Sequence, residues 1–287
     1  MQRSRRSAGS TVTPLIFSIL LFLFVGITVY LFVAKTWWFP KSITSFGLDV
    51  DRQFHRTLVI TGIVFVVSQL TLAWAIFRFR DRGQRAAYSH GNTTMEVLWT
   101  LATVVMFVGL GIMARDAWAE VHFRDAVPGA MKVEVVGLQF KWSFRYPGPD
   151  GIFGRFKTVE QAEAQRKRGN QSASPWQLDP NDPAGKDDIV LGPGSEMAIP
   201  VNREIELWIR SQDVTHSFFV RELRLKQDAV PGMVMKVHFT ATEIGTYEIP
   251  CAELCGSGHY SMHTNLKVMS QEDFDKWLAA QAAANAQ

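Results

Sequence analysis

The sequence predicts a membrane-anchored α+β protein, in which three transmembrane helices precede a β-sandwich and a short C-terminal helix. Two observations carry this prediction: three long charge-free stretches in the first part, and alternating apolar and polar residues after residue 131. The net charge of +3 is divided unevenly. Residues 1–114 hold 11 Lys and Arg against 4 Asp and Glu, whereas the remainder holds 19 against 23. The two parts are therefore physically different.

The composition excludes several classes of protein. A hydrophobic content of 47% excludes a disordered chain, and two cysteines in 287 residues exclude a disulfide-stapled mini-protein. The sequence has no C-x-x-C-H motif for a c-type haem. We expect a membrane partner and no nucleic-acid partner.

The charge-free stretches cover residues 15–34, 57–77 and 97–114, and each approaches the roughly 20 residues that a spanning helix needs. Lipid offers the backbone no hydrogen-bond partner, so such stretches must be helical. Tryptophans near their ends fit the aromatic belts found at headgroup level: Trp37, Trp38, Trp74, Trp99 and Trp118. For residues 15–34, a cleaved signal peptide remains the alternative.

Basic residues predict the orientation of these helices. Arginines concentrate before the first stretch and in the second connection, which places both on the cytoplasmic side: Arg3, Arg5, Arg6, Arg78, Arg80, Arg82 and Arg85. The prediction is weakened by the first connection, which should lie on the outer side but also contains basic residues: Lys35, Lys41, Arg52 and Arg56. We expect a cytoplasmic N-terminus (1–14), a transmembrane region (15–114) and a domain on the periplasmic side of the inner (plasma) membrane (115–287).

The sequence after residue 131 predicts many short strands separated by Gly or Pro, which is typical of a β-sandwich. A Gly-, Pro- and Asp-rich insertion, 147–188, interrupts the pattern and holds one candidate helix near 159–168. Ser270, with Asp273 three residues later, predicts the start of a C-terminal helix that turns Phe274, Trp277 and Leu278 toward the sandwich. We expect residues 279–287 to fray.

Both cysteines lie in one window of twelve residues that is rich in soft metal ligands: Cys251, Cys255, His259 and Met262. Thiolate and thioether donors favour copper over hard cations, and such a set is typical of cupredoxin electron-transfer sites. His216, at a predicted strand edge, supplies a second imidazole. Two alternatives remain open, namely a tetrahedral zinc site and a Cys251–Cys255 disulfide.

The pattern C-x-E-x-C-G-x-x-H-x-x-M, after D-V-x-H-S and K-Q-D-A-V-P-G, resembles the copper A domain of subunit II of haem–copper cytochrome c oxidases. The resemblance runs from about His90 to Ser270 and includes H-G-N-T-T-M-E-V-L-W-T and Q-F-K-W-S-F. It implies a cupredoxin-like Greek-key sandwich. It also implies a three-transmembrane-helix variant of the family, because the third transmembrane segment and the 147–188 insertion are extra to the common two-helix form.

The resemblance implies a binuclear copper centre in which Cys251 and Cys255 bridge both ions. His216 and His259 would each bind one copper, Met262 would be a weak axial ligand, and the Glu253 carbonyl would complete the set. The Glu253 side chain would face a magnesium ion shared with subunit I.

Further roles follow from the family for Glu96, Phe140 and Trp142. Glu96 would stand at the cytoplasmic mouth of a proton-uptake pathway, although a charge at a helix start is also a common interfacial anchor. Many members have Trp where this chain has Phe140, and that Trp is proposed to receive electrons. Phe140 and Trp142 are therefore the candidates for electron acceptance. An acidic residue two before the Tyr of this stretch is often present in the family, whereas here Arg145 precedes Tyr146. Together with Phe140, this change puts the usual docking patch in doubt.

The resulting hypothesis is a subunit II that accepts electrons from a c-type cytochrome and passes them to haem in subunit I, where oxygen reduction is coupled to proton pumping. Other oxidase subunits would be its partners. A copper A subunit of a nitric oxide reductase is the alternative. The complete ligand set argues against a quinol oxidase subunit, which contains no copper. The three spanning helices argue against a copper chaperone or metal sensor, which would need only the outer domain.

Overall fold

In a computed structural model, the protein is described at residues 11–82, 88, 90–157, 161, 164 and 176–285. The chain forms two compact units. One comprises Met1–Phe39 with Arg52–Arg115, and the other comprises Pro40–Asp51 with Asp116–Gln287.

The first unit is helical. Helices α1 (Val12–Val33), α2 (Ser45–Arg78) and α3 (Thr93–His122) are each long and apolar enough to cross a membrane. They contain the predicted stretches, apart from the last residue of the first. Most of their large apolar side chains are exposed, as expected for surfaces that meet lipid. Helix α1 packs on α2, where the Ser18 hydroxyl donates to the Ala73 carbonyl at 3.0 Å.

The second unit is a β-sandwich, as the sequence predicts. The strands are β1 Met131–Leu138, β2 Lys141–Tyr146, β3 Ile189–Leu191, β4 Met197–Pro200, β5 Glu204–Ser211, β6 His216–Val220, β7 Leu225–Ala229, β8 Met235–Thr240, β9 Gly245–Pro250 and β10 His263–Met269. A five-stranded sheet has the order β3-β2-β1-β5-β8, a three-stranded sheet has the order β4-β10-β9, and β6 pairs with β7. Alternation in β5 buries Ile205, Leu207 and Ile209 completely.

A segment before α2 also belongs to the sandwich unit. Ile43 is buried, its N–H donates to the Glu222 carbonyl at 2.9 Å, and Thr44 forms a β-bridge with Ala241. Arg224 donates to both oxygens of Asp51, at 2.7 and 3.1 Å, and also to the Pro40 carbonyl. The segment 40–51 is thus a strap across two turns of the sandwich.

The C-terminal helix α4 (Gln271–Asn285) begins where its cap predicts. The Ser270 hydroxyl accepts the Asp273 N–H at 3.1 Å, and Phe274 is buried. The expected fraying of residues 279–287 is wrong as far as Asn285, because this Ala-rich segment continues the helix and Ala282 packs against the core. Most of the candidate helix near 159–168 lies outside the described residues.

The described ends of the 147–188 insertion cover a buried charged group on the five-stranded sheet. Arg145 of β2 is 1% exposed and pairs with Glu134 of β1 and with Asp188, both 0% exposed. Three aromatic rings surround the guanidinium, with centroids 4.7, 5.1 and 5.3 Å away: Phe153, Phe156 and Trp176. Arg145 is therefore interior, and the expectation that it alters a docking patch on the surface is wrong.

Candidate metal centre

The predicted metal ligands come from two places in the sandwich. His216 is the first residue of β6, and the others lie on the loop 251–262 between β9 and β10. Backbone contacts join the two places: Phe218 forms a β-bridge with Cys251, and the Ala252 N–H donates to the Ser217 carbonyl at 2.9 Å. The loop is also closed on itself, because the Cys251 N–H donates to the Met262 carbonyl at 2.9 Å.

These contacts bring all six predicted donors together. The two Sγ atoms are 3.8 Å apart, His216 Nδ1 lies 3.9 Å from Cys251 Sγ, and the Glu253 carbonyl lies 3.2 Å from the same sulfur. Cys255 Sγ lies 3.6 Å from His259 Nδ1 and 3.8 Å from Met262 Sδ. A disulfide has sulfurs about 2.05 Å apart, so the disulfide alternative is wrong and both cysteines are free thiols.

The two thiols differ in acidity. Burial opposes ionisation of Cys251, but hydrogen bonds from the His216 imidazole and from backbone groups lower the pKa of its thiol to about 6. Burial and the neighbouring Cys251 charge raise the pKa of Cys255 to about 11. Without a cation, the pair therefore resists holding two negative charges. A bound cation would remove that repulsion.

The His216 imidazole is oriented by its surroundings. Its Nε2 lies 2.8 Å from Asp213 Oδ1, which leaves Nδ1 facing the sulfurs. Although burial opposes its charged form, the contacts with Cys251 and Asp213 raise the pKa of His216. A carboxylate that fixes the second ring nitrogen is a common device of metal-binding histidines.

Gly137 and Trp142 complete the wall behind His216. A Cβ on Gly137 would lie 2.8 Å from the imidazole Cδ2, so only glycine lets the ring approach β1 this closely. The Trp142 ring packs edge-on at 6.0 Å between centroids and is 0% exposed. Neither Asp213 nor Gly137 has a role that follows from the sequence alone, although Asp213 is the first residue of the D-V-x-H-S motif.

Phe140 lies over the outer side of the ligand loop. Its ring is so close to Gly258 that a Cβ there would lie 2.4 Å from the ring, and a Cβ on Gly256 would lie 3.1 Å from it. Phe140 is half-buried, whereas Trp142 is enclosed. Of the two aromatic candidates, Phe140 alone has exposed surface beside the ligands.

Glu96 lies far along the chain from this centre. It occupies the first turn of α3, where it is exposed, and Asn92 accepts the Met95 N–H through its side chain at 3.1 Å. Its position is that of a residue at a helix start, as the sequence predicts.

Comparison with known proteins identifies the family. Residues 175–269 match the family described as "Cytochrome C oxidase subunit II, periplasmic domain", and this range contains all six predicted ligands. The alternative cytochrome c oxidase subunit 2 of Bradyrhizobium diazoefficiens is 35% identical over 265 residues, which cover 92% of this chain and 90% of that protein. The chain belongs to the cytochrome c oxidase subunit 2 family.

Other members of the cytochrome c oxidase subunit 2 family are more distant. The subunit 2 of Cereibacter sphaeroides is 29% identical over 243 residues, which cover 84% of this chain and 78% of that protein. A crystal structure of the periplasmic domain of subunit II (CoxB) of Bradyrhizobium japonicum is 28% identical, covers 55% of this chain and 99% of that chain, and has a TM-score of 0.38. Because it belongs to this family, the chain is a subunit of a haem–copper oxidase, with other oxidase subunits as partners.

The donor set of this subunit fits copper. The Nδ1 of His216 and the sulfurs of Cys251 and Cys255 all lie within 4.8 Å of one another and are buried. Thiolate, imidazole and thioether donors are the ligands that soft copper ions prefer, and hard cations such as calcium or magnesium do not select them.

Proposed function

We propose that this subunit accepts electrons on the outer side of the membrane through a binuclear copper A centre. The thiolates of Cys251 and Cys255, together with His216, His259, Met262 and the Glu253 carbonyl, would hold the copper ions. The convergence of these six donors is the observation that carries the proposal. Zinc is disfavoured because the Met262 thioether, which a tetrahedral zinc site does not use, points at Cys255.

A copper pair that shares two thiolates supplies one-electron chemistry with little change in ligand geometry. The protein contributes rigidity. Cys251 and Met262 are held by one backbone hydrogen bond, Ala252 is tied to β6 by another, and Asp213 fixes the His216 ring. Donors that are already in place cannot relax toward either charge state, which keeps electron transfer fast.

The outer part of the chain is suited to a basic electron donor. Residues 115–287 carry 19 Lys and Arg against 23 Asp and Glu, and opposite net charges steer association at low ionic strength. A c-type cytochrome is the donor that we propose, with Phe140 as the contact nearest the ligands. Trp142 is enclosed and would act only through His216, against which it packs.

The remaining roles concern the partner subunit. Electrons would pass to haem in subunit I, where oxygen reduction is coupled to proton pumping. Glu253, which is half-buried in the ligand loop, would contribute to a magnesium site shared with subunit I. Glu96 would stand at the proton-uptake side of the inner membrane, at the opposite end of α3 from the outer part of the chain. The named relatives are cytochrome c oxidase subunits, which favours oxygen over nitric oxide as the terminal acceptor.

Electron paramagnetic resonance of the copper-loaded full chain in detergent tests the proposal. We expect a hyperfine pattern from one electron shared by two copper nuclei. Cys255→Ser should abolish this pattern, whereas Ser257→Ala, an exposed change in the same loop, should preserve it. A mononuclear copper signal from the unmodified chain, or zinc retained in preference to copper, would contradict the proposal.

A further inference from the structure

Gln139 connects the two ligand-bearing segments of the metal centre. It lies in the turn between β1 and β2, and its backbone N–H donates to Asp213 Oδ2 at 2.8 Å. The other oxygen of Asp213 holds the His216 ring. The side-chain amide of Gln139 points the other way and donates to the Cys255 carbonyl at 2.5 Å. One residue therefore contacts the supports of a histidine ligand and of a cysteine ligand.

We propose that Gln139 is a positioning residue of the metal centre, whose side-chain amide holds the segment from Cys255 to His259 at a fixed distance from His216. The inference rests on the proposed function, because it assigns Gln139 to the copper centre. Gln139 does not contact the metal in this assignment. It acts through Cys255 and Asp213.

The turn that carries Gln139 is a rigid support. Strands β1 and β2 are paired up to the turn, where Leu138 lies opposite Lys141. The next residue of β2, Trp142, is completely buried. The turn therefore cannot move without disturbing the five-stranded sheet. A hydrogen bond from this turn transfers the rigidity of the sheet to the loop.

The loop needs such a support, because glycines follow Cys255. Gly256 has a φ of +131°, which side chains rarely adopt, and a Cβ on it would lie 2.8 Å from the Gln139 amide nitrogen. Gly258 lies under the Phe140 ring. Glycine loses more conformational freedom on ordering than any other residue. Without the amide, the segment that carries His259 would lose an anchor next to two glycines, which are costly to hold in one conformation.

Side-chain replacement separates the two contacts of Gln139. Its backbone N–H stays in place in any variant, so the Asp213–His216 contact is preserved. Gln139→Met has a similar length and removes only the amide donor. Gln139→Glu places a carboxylate against the Cys255 carbonyl and should have the larger effect. Gln212→Glu is the control for the added charge of Gln139→Glu. Gln212 is exposed and adjoins Asp213, so its replacement adds the same charge without placing it against the loop carbonyl.

Two measurements on the full chain in detergent test the inference. The first is amide hydrogen exchange of the metal-free protein across Gly256, Gly258 and His259, which we expect to accelerate in Gln139→Met and not in Gln212→Glu. The second is the rate at which the copper-loaded protein gives up copper to a chelator, which should rise about tenfold or more in Gln139→Met, as for other residues that orient metal ligands.

Each outcome has a defined meaning. Unchanged loop exchange and unchanged copper release in both Gln139 variants would overturn the inference. If Gln139→Met has no effect and Gln139→Glu changes both measurements only as much as Gln212→Glu does, charge and not the hydrogen bond is responsible, which also overturns the inference. If the unmodified chain fails to hold a copper pair, the proposed function fails, and the exchange measurement still decides whether Gln139 anchors the loop.

Discussion

Replacing Arg145 with methionine should make the sandwich unit markedly easier to unfold. The guanidinium donates to Asp188 at 2.9 Å, to the Gly154 carbonyl at 2.9 Å and to Glu134 at 2.7 Å, and all three charged side chains are excluded from solvent. Removing one partner leaves buried carboxylates without compensation, which typically costs 3–5 kcal/mol.

The structure places the expected loss near the lower end of that range. Glu134 keeps its contact with Arg210, and Asp188 keeps a hydrogen bond from the Gly154 N–H at 3.0 Å. We therefore expect a loss of about 3 kcal/mol in the free energy of unfolding. The control is Arg155→Met, because Arg155 is 77% exposed in its ion pair with Asp182 and should cost no more than about 1 kcal/mol.

The pH dependence gives a second check. Burial raises the pKa of Asp188, and Arg145 opposes that rise. Without Arg145 the pKa of Asp188 rises further, so the penalty is present above that pKa and disappears as the carboxyl takes up a proton. The difference between the variant and the unmodified chain should therefore shrink as the pH is lowered.

Pulse proteolysis of the detergent-solubilised chain across a urea series measures these free energies. Amide exchange at Gly154 and along β3 should locate the loss at the ends of the insertion. A cost below about 1 kcal/mol, equal to that of Arg155→Met, would refute the reasoning. A penalty that grows as the pH falls would refute it as well.

Three further results are expected. Met262→Leu should keep both coppers and change the reduction potential, because the thioether is a weak donor, and loss of copper would show that it is a primary ligand. Copper uptake at pH 7 should release at least one proton per centre, because the pKa of Cys255 is raised to about 11. Calorimetry in buffers of different ionisation enthalpy measures this proton release, and uptake without any release would contradict the prediction. Arg224→Ala should cost about 1.5–3 kcal/mol, because it removes charged hydrogen bonds to Asp51, and protease resistance of the strap unchanged from the unmodified chain would contradict it.

The helices and the ligand set were predictable because their signals are local. A charge-free stretch is read directly from consecutive residues, and the donors of the loop 251–262 lie within twelve positions. His216 lies 35 residues from Cys251, yet its strand-edge motif was sufficient to place it with the loop. The cap at Ser270 was equally local.

The unpredicted features depend on contacts between distant residues. Gln139 reaches Cys255 across 116 positions, and Arg224 reaches Asp51 across 173. Neither pair has a periodicity or a spacing that marks it in the sequence. Arg145 was misjudged for a related reason, since only the fold shows that the insertion covers it. The fraying expected for residues 279–285 is not observed, because Ala and Gln have high helix propensity and continue α4 to Asn285.

The strap formed by residues 40–51 fixes the path of the chain through a bilayer without any count of charges. A segment that packs into a folded domain must lie on the same side of the membrane as that domain. The start of α2, which belongs to the strap, therefore lies in the same compartment as the sandwich. If α2 spans the membrane, its last residue, Arg78, lies in the opposite compartment. Glu96, in the first turn of α3, would then lie in that opposite compartment as well. The strap gives this orientation even though the basic residues of the first connection weaken the prediction from charge.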